Sequence, residues 1–457
     1  MFFFEKVSGG LRGNIAVVGL GYVGLVTGLC LADLGFKVIF ADLDASKVEL
    51  IRRGVAPIYE PGVEEKLTKH RNSGNMEATT STVEAVARSS VTFITVGTPS
   101  VNGEIDLAGV KGAAEDIGAG IAEKDDYHVV AVKSTVIPGT TEELIIPTIE
   151  GASGKVEGKD FGVCVNPEFL REGSAIRDFM NPDRIVIGYR DERACSVVEE
   201  VFSGIKSVLV KTDLRTAEMI KYANNAFLAM KVSFINEMAN ICELFDIDVK
   251  QVAYAIGLDF RINPEFLRAG CGFGGSCFPK DLRALISVAR KKRYNPVLLE
   301  ATLRVNDKQP LRMVELAESV LGELRGRRVA VLGLAFKPET DDMREAPSIK
   351  IVQALLERGA KVVVHDPKAM ERARGIFGEK VEYAKSSLDA LKEADCCMIV
   401  TEWREYAELP LEEARRLMRI PLVVDGRRII DPNKAADAGF IYRGIGWGMK
   451  HNEFRSA

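Results

Sequence analysis

The sequence predicts an α/β protein in which two doubly wound domains are joined by a helical middle domain with a long spine helix. Three observations predict it. From about residue 14 to 210, short apolar runs alternate with helical patterns, as in a parallel sheet covered by helices on both faces. From Thr212 to about Leu321 the strand-like runs stop and a helical period takes over. At Arg327 the alternation resumes, and Val329-Ala-Val-Leu-Gly-Leu334 echoes Ile15-Ala-Val-Val-Gly-Leu20. Both outer domains therefore read as Rossmann-like. The expected ranges are 1–212, 213–322 and 323–457, since 457 residues are too many for one ordinary core.

In chain order, the segments Asn14–Gly19, Lys37–Asp42, Val91–Val96, His128–Lys133 and Phe161–Val165 read as buried parallel strands. Thr212 and Asp213 cap a helical pattern that runs through Ala217, Ile220, Ala223, Phe227, Met230, Phe234 and Met238 to about Phe245. That spacing predicts one buried apolar stripe. The length is large for a globular helix, so a spine shared with a second subunit is expected, as a homodimer or a multiple of dimers. Arg328–Gly333, Lys361–Asp366, Cys396–Val400 and Leu422–Asp425 read as the strands of the second unit. At the N-terminus, Met1–Lys6 is apolar but too short for a signal-peptide core, and is expected to be a frayed or docked extension.

A net charge of −4 offers no footprint for nucleic acid or an anionic membrane surface. No apolar run approaches the roughly 18–20 residues of a membrane span. The eight cysteines form no CxxC pair, so neither a metal site nor a disulfide framework is indicated, and a reducing cytoplasm fits. Cys30, Cys164, Cys242, Cys396 and Cys397 lie in apolar runs and read as core, while Cys195 sits on an expected helix and offers no chemistry.

The chemistry concentrates in a few motifs. Gly19-Leu-Gly21-Tyr-Val-Gly24 follows a strand and opens a helix, and Asp42 ends the next strand. Such glycines permit a tight turn, backbone approach to a pyrophosphate and close helix packing, and the carboxylate suits a ribose diol. Asp42 favours NAD over NADP because it repels a 2′-phosphate, although Lys47 lies nearby. In the second unit, Gly333-Leu-Ala335-Phe-Lys337 lacks the later glycines, so a dinucleotide is not expected there, and Lys337 with Arg344 suits a phosphorylated ligand. In Gly270-Cys-Gly-Phe-Gly-Gly-Ser-Cys-Phe-Pro-Lys-Asp281, glycines lead to Cys277 just before a proline that starts a helix. A thiol at a helix N-terminus is stabilised as thiolate, although a tight turn around a buried thiol is the alternative. Glu168 and Glu172, four apart, would share a face if their segment were helical. Lys221 and Asn225, four apart on the spine, either snorkel or face a polar cleft, and the residues alone leave both readings open.

Taken together, Ile15–Gly24, Lys133-Ser-Thr135, Asn166-Pro-Glu-Phe-Leu-Arg-Glu-Gly173, Lys221-Tyr-Ala-Asn-Asn-Ala-Phe227, Gly272–Asp281 and Phe336-Lys-Pro resemble the UDP-glucose/GDP-mannose dehydrogenase family, in its order and over roughly residues 14 to 445. The resemblance implies oxidation of a nucleotide-sugar C6 alcohol to a carboxylate with two NAD+. The expected substrate is UDP-glucose, with GDP-mannose and UDP-N-acetylmannosamine as alternatives. It implies Cys277 as nucleophile, through a thiohemiacetal and a thioester, and Lys221 as oxyanion stabiliser. Asn225 would contact substrate, Asp281 and Thr135 would manage a water, and Glu168 would be the acid–base for hydrolysis. Cofactor contacts would come from Gly19, Gly21, Tyr22, Val23, Gly24, Asp42, Lys47, the run from Val96 through Thr98 to Ser100, Thr135, Glu172, Lys280 and Arg344. Substrate contacts would come from Glu168, Phe169, Leu170, Lys221, Asn225, Arg268, Gly272, Phe273, Gly274, Phe336, Lys337 and Arg428, with Arg261 reaching the nucleotide of a neighbouring subunit. Cys271 departs from the family pattern, and its spacing from Cys277 would allow a disulfide under oxidation.

Two other classes share features with this chain. A 3-hydroxyacid or 6-phosphogluconate type of dehydrogenase has the glycine loop and a helical domain, but lacks the cysteine and the second α/β domain. A non-catalytic nucleotide-binding protein would have no use for Cys277, Lys221, Glu168 and Asp281 together.

Overall fold

Runs that are apolar at every position have no face for water, so they form strands only where helices cover both sides of the sheet. In the computed structural model, which describes residues 13–101 and 103–448, each expected run is a strand, Phe161–Val165 and Leu422–Asp425 over their full length and the others with one or both ends trimmed. The first sheet contains β1 (Ile15–Val18), β2 (Val38–Ala41), β3 (Met76–Thr79), β4 (Val91–Ile94), β5 (His128–Val132), β6 (Phe161–Val165), β7 (Arg184–Tyr189) and β8 (Val208–Thr212). Their order is β8-β7-β6-β5-β4-β1-β2-β3. Strands β1 to β6 are parallel, and the chain reverses at β7, which pairs antiparallel with β6. The strand order changes direction between β1 and β4, where a doubly wound sheet opens a crevice at its carboxyl ends. The Met1–Lys6 extension lies outside the described residues.

The second sheet consists of β9 (Arg328–Leu332), β10 (Lys361–His365), β11 (Glu382–Tyr383), β12 (Cys396–Ile399), β13 (Leu422–Asp425) and β14 (Ile441–Gly444). It is parallel throughout, in the order β11-β10-β9-β12-β13-β14. That is the same winding as β3-β2-β1-β4-β5-β6. Side chains such as Val329, Val331, Val362, Val364, Met398 and Val424 are fully or almost fully buried there, each contributing about 1.5–3 kcal/mol of transfer free energy. Two helices carry the candidate site residues into place. Helix α1 (Tyr22–Asp33) leaves β1 through the glycine loop, and helix α2 (Leu214–Leu244) is the spine, its start capped by Asp213, which accepts the Thr216 N–H. The chain divides into two compact units, one up to Asn224 and one from Asn225 onward, so α2 runs from the first into the second.

Two expectations about local structure need correction. The apolar residues of α2 do not form one buried stripe: Ala217 is buried, but Ala223, Phe227 and Phe234 are exposed. The buried side instead mixes apolar residues such as Tyr222, Ala229 and Ile235 with polar ones, including Glu218, Lys221, Asn225, Ser233 and Asn236. Sequence spacing reveals that two faces exist but cannot say which of them this chain covers itself. The segment 166–173 is irregular rather than helical, so Glu168 and Glu172 do not share a helix face. Pro167 disfavours helical backbone at the residue before it, and the turn is closed by the Leu170 N–H on Glu168 Oε2.

Candidate active site

In the first unit, the expected residues collect at the carboxyl ends of the strands. Gly19 follows β1 with φ of +100°, and a Cβ there would lie 2.9 Å from the backbone of Thr95 and Val96. A Cβ on Gly24 would sit 1.9 Å from the Gly19 carbonyl oxygen, so only glycine lets α1 start this close to the loop. At Gly21, which caps α1, an added Cβ meets no protein atom. Glycine there leaves room for a ligand rather than for the protein, and the start of α1 suits a pyrophosphate. Asp42, just past β2, accepts the Leu20 N–H on Oδ2 at 2.7 Å and the Asp44 N–H on Oδ1 at 2.9 Å, with Lys47 Nζ 3.6 Å away. The carboxylate is thus locked to the glycine loop, as a ribose contact requires, and these residues fit a dinucleotide.

The loops after β4 and β5 are pinned together. Thr98 donates to the Thr135 carbonyl at 2.9 Å, and Ser134 donates to the Val96 carbonyl at 2.7 Å. After β6, Glu168 is 7% exposed and its Oε1 accepts from Lys221 Nζ at 2.8 Å. Burial opposes ionisation of Glu168. The charge and hydrogen bond of Lys221, the Leu170 N–H and the charge of Lys133 outweigh it and hold the carboxyl below its ordinary range. Lys221 resolves the two readings left open by sequence: it does not snorkel, since its ammonium is buried on Glu168 and lies 5.5 Å from the ring of Phe169. Glu172 is half-buried in the turn that follows. Glu60, which sequence reasoning missed, holds that turn by accepting the N–H groups of Gly173 and Ala175.

In the second unit, Cys277 is the cap residue of helix α3 (Phe278–Lys291), with Pro279 in its first turn. The thiol is exposed, with Ser276 Oγ 3.5 Å from its sulfur. Asp281, one turn on, is 2% exposed; it accepts from Asn225 Nδ2 at 2.7 Å and has Lys280 Nζ 2.8 Å from Oδ1. Asn225 lies one turn along α2 from Lys221. The glycine loop before Cys277 is clamped by buried amides that carried no sequence signal. Asn306 takes the Phe273 N–H at 2.7 Å and returns its own N–H to the Phe273 carbonyl at 3.0 Å. Asn236 and Gln309 do the same for Gly270 between them. Gly275 has φ of +85°, and a Cβ there would strike the ring of Phe336. Cys271 is buried and donates to the Val400 carbonyl, and none of the eight cysteines is in a disulfide.

Lys337 reaches over the ring of Phe336, and Arg344 forks onto Asp342 beside the Gly275 backbone. Arg268 is exposed at the start of the loop, and Arg261 is exposed and paired with Asp259. The two arginines after β13 differ. Arg428 is buried, bonded to Asp248 at 2.9 Å and to the Ile445 carbonyl, and stacked on Trp447. Arg427 instead lies against Gly270, the Phe336 carbonyl and Glu402. Geometry therefore brings Arg427, not Arg428, to the loop. The carboxylate after β10, Asp366, is 2% exposed and takes the N–H groups of Leu334 and Ala335 and the indole N–H of Trp403. In the first sheet the matching Asp42 has no indole over it.

A doubly wound sheet with a full glycine loop tied to an acidic residue, and a second such sheet that keeps only Gly333 and Asp366 of that pattern in the unit that carries an exposed cysteine, are the architecture of a nucleotide-dependent oxidoreductase. The UDP-glucose/GDP-mannose dehydrogenase family matches in all three of its parts: the NAD binding domain over residues 13–206, the central domain over 215–308 and the UDP binding domain over 330–432. The chain belongs to that family. It is 45% identical to a UDP-glucose 6-dehydrogenase of Bacillus subtilis, over 95% of this chain and 93% of that one. It is also 45% identical to a UDP-glucose 6-dehydrogenase of Haloferax volcanii, over 93% of this chain and 99% of that one. A solved structure of a UDP-glucose dehydrogenase from Pyrobaculum islandicum superposes with a TM-score of 0.91 at 44% identity, covering 97% of this chain and all of that one. The chain is accordingly an NAD-dependent oxidoreductase whose substrate is a nucleotide sugar. No helix among the described residues is long and apolar enough to cross a membrane.

Proposed function

We propose that the protein oxidises UDP-glucose at C6 to UDP-glucuronate, in two hydride transfers linked by a covalent bond to Cys277. The observation that carries this reading is the contrast among the thiols. Cys277 is exposed at the N-terminus of a helix of fourteen residues, while the other seven cysteines are buried. Burial pushes Cys30, for example, up to about 12. A helix start favours a thiolate at Cys277 and gives the chain one nucleophile suited to an aldehyde.

NAD+, held by Gly19, Gly21, Gly24 and Asp42, supplies the hydride acceptor, two molecules for each sugar. The chain's own residues manage protons and charge. The C6 hydroxyl gives up a proton as its hydride leaves, and the developing oxyanion is the charge that Lys221 is suited to stabilise. The Cys277 sulfur then adds to the aldehyde carbon, forming a thiohemiacetal whose own hydride departs to leave a thioester. Water, activated by Glu168, attacks that carbonyl, the carbon–sulfur bond breaks, and thiol and carboxylate are released. Asp281 and Thr135 would place the water and pass protons, and Asn225 would hold both Asp281 and the sugar. Arg268, Gly272, Phe273, Gly274, Phe336, Lys337 and Arg427 would bind the nucleotide. Phe227, Phe234, Ile241, Tyr254, Leu258 and Phe260 of the second unit are all exposed, and apolar side chains left open in this number suit a second copy of this chain. That copy would bring Arg261 to its neighbour's nucleotide.

The names of the relatives support UDP-glucose as the sugar. Counting NADH formed per molecule of UDP-glucose, GDP-mannose and UDP-N-acetylmannosamine tests it. Two NADH per UDP-glucose, with slow turnover of the others, is the expected result. Preferred turnover of either alternative would replace the substrate while leaving the chemistry intact.

A further inference from the structure

Lys133, at the exit of β5, is as buried as Lys221, each being 4% exposed. Lys221 has a carboxylate partner, whereas no carboxylate among the described residues lies within ion-pair distance of Lys133. Its Nζ instead donates to Asn166 Oδ1 at 2.8 Å and lies 3.5 Å from the Asn166 carbonyl. The rings of Phe179 and Phe202 flank it at 5.8 and 5.5 Å. Asn166 is itself fixed, its amide donating to the Val186 carbonyl at 2.9 Å. It stands two residues before Glu168, in the same irregular turn. Burial brings Lys133 down to about 8, outweighing the charge of Glu168, which favours its ammonium, and reinforced by that of Lys221, which opposes it.

A buried ammonium with no salt bridge is costly unless its charge acts on something nearby. We propose that Lys133 is a positioning residue of the reaction: seated on Asn166, it fixes the turn that presents Glu168 and adds a second buried positive charge to the Glu168–Lys221 pair. The assignment rests on the reading that Glu168 and Lys221 act on the sugar. Two ammonium groups around one carboxylate keep Glu168 ionised, as a base for thioester hydrolysis must be. They also leave Lys221 with charge not wholly cancelled by Glu168, which an oxyanion needs.

The test is the pH dependence of turnover for the full-length enzyme, compared among Lys133→Met, Lys133→Arg and Glu168→Gln. Lys133→Met keeps the stem between the two phenylalanines and removes the charge. Its acid limb is expected to move up by about one pH unit, with KM for UDP-glucose unchanged. Lys133→Arg keeps the charge and is expected to retain the parental limb. If Lys133→Met does not fold, Asn166→Asp carries the same prediction, because it cancels the Lys133 charge in place. A parental pH profile for Lys133→Met or Asn166→Asp, alongside an inactive Glu168→Gln, would overturn the role of Lys133 alone. Parental turnover by Glu168→Gln would instead remove the reading beneath it.

Discussion

Lys221 and Glu168 show how much a single residue's role depends on what buries it. Both were visible in the sequence, as a lysine in an apolar helix and a glutamate after a strand, but their partnership was not. Contacts across 53 positions leave no local trace. The same limit hid Asn236, Asn306 and Gln309, which are ordinary polar residues until folding sets them against the backbone of the cysteine loop. It also hid the difference between two adjacent arginines. Arg427 and Arg428 are chemically identical in sequence, and only the structure gives Arg428 to Asp248 and Trp447 and Arg427 to Phe336. Arg427→Ala is therefore expected to raise KM for the nucleotide sugar with little change in melting temperature. Arg428→Ala strands a largely buried Asp248, a loss of about 3–5 kcal/mol for such pairs, and should lower the melting temperature while a folded fraction keeps its KM. Steady-state kinetics and thermal melts on both variants check this, and reversed effects would contradict it.

At the scale of elements, legibility followed near-unbroken apolar runs. The nine strands built on such runs were readable to within a residue or two. The buried strand β7, Arg184–Tyr189, was not, and neither were the edge strands β3, β8, β11 and β14, of which Met76-Glu-Ala-Thr79 and Glu382-Tyr383 are partly exposed and short. Helix α1 owes its placement to polar contacts as well as packing. Asp33, at its end, meets Lys66, Lys69 and His70 of the segment Val63–Ser73. Burial works against the Asp33 carboxylate, but hydrogen bonds from those three side chains prevail and lower it from 3.8 to about 2. A carboxyl lowered on folding contributes stability that is complete above its unfolded value and lost as pH falls through its folded one. Asp33→Asn should consequently melt below the parent at neutral pH, with the gap narrowing below about 4 and closing near 2. A gap that stays constant over that range would show that the network's charge is not what holds α1.

For the whole molecule, the repeated winding was legible from one repeated hexapeptide, and so was its difference in use. Both sheets keep the first glycine, as Gly19 and Gly333, but the counterparts of Gly21 and Gly24 are absent from the second, where Trp403 covers the matching carboxylate. The apolar spacing of α2 marks a face but not whether that face is covered, and Phe227 and Phe234 on it are exposed. In solution the protein is expected to be a dimer or a multiple of dimers by light scattering. Phe234→Asp with Phe260→Asp, both at exposed positions, should yield folded monomers with greatly reduced turnover, whereas a fully active parental monomer would refute the shared spine. The central claim is that Cys277 holds the sugar between two hydride transfers. Counting NADH and uronate formed per UDP-glucose by Cys277→Ser, with NAD binding measured in parallel, tests it most directly. The account predicts intact NAD binding and loss of the complete oxidation; two NADH and one uronate per sugar from the serine variant would contradict it.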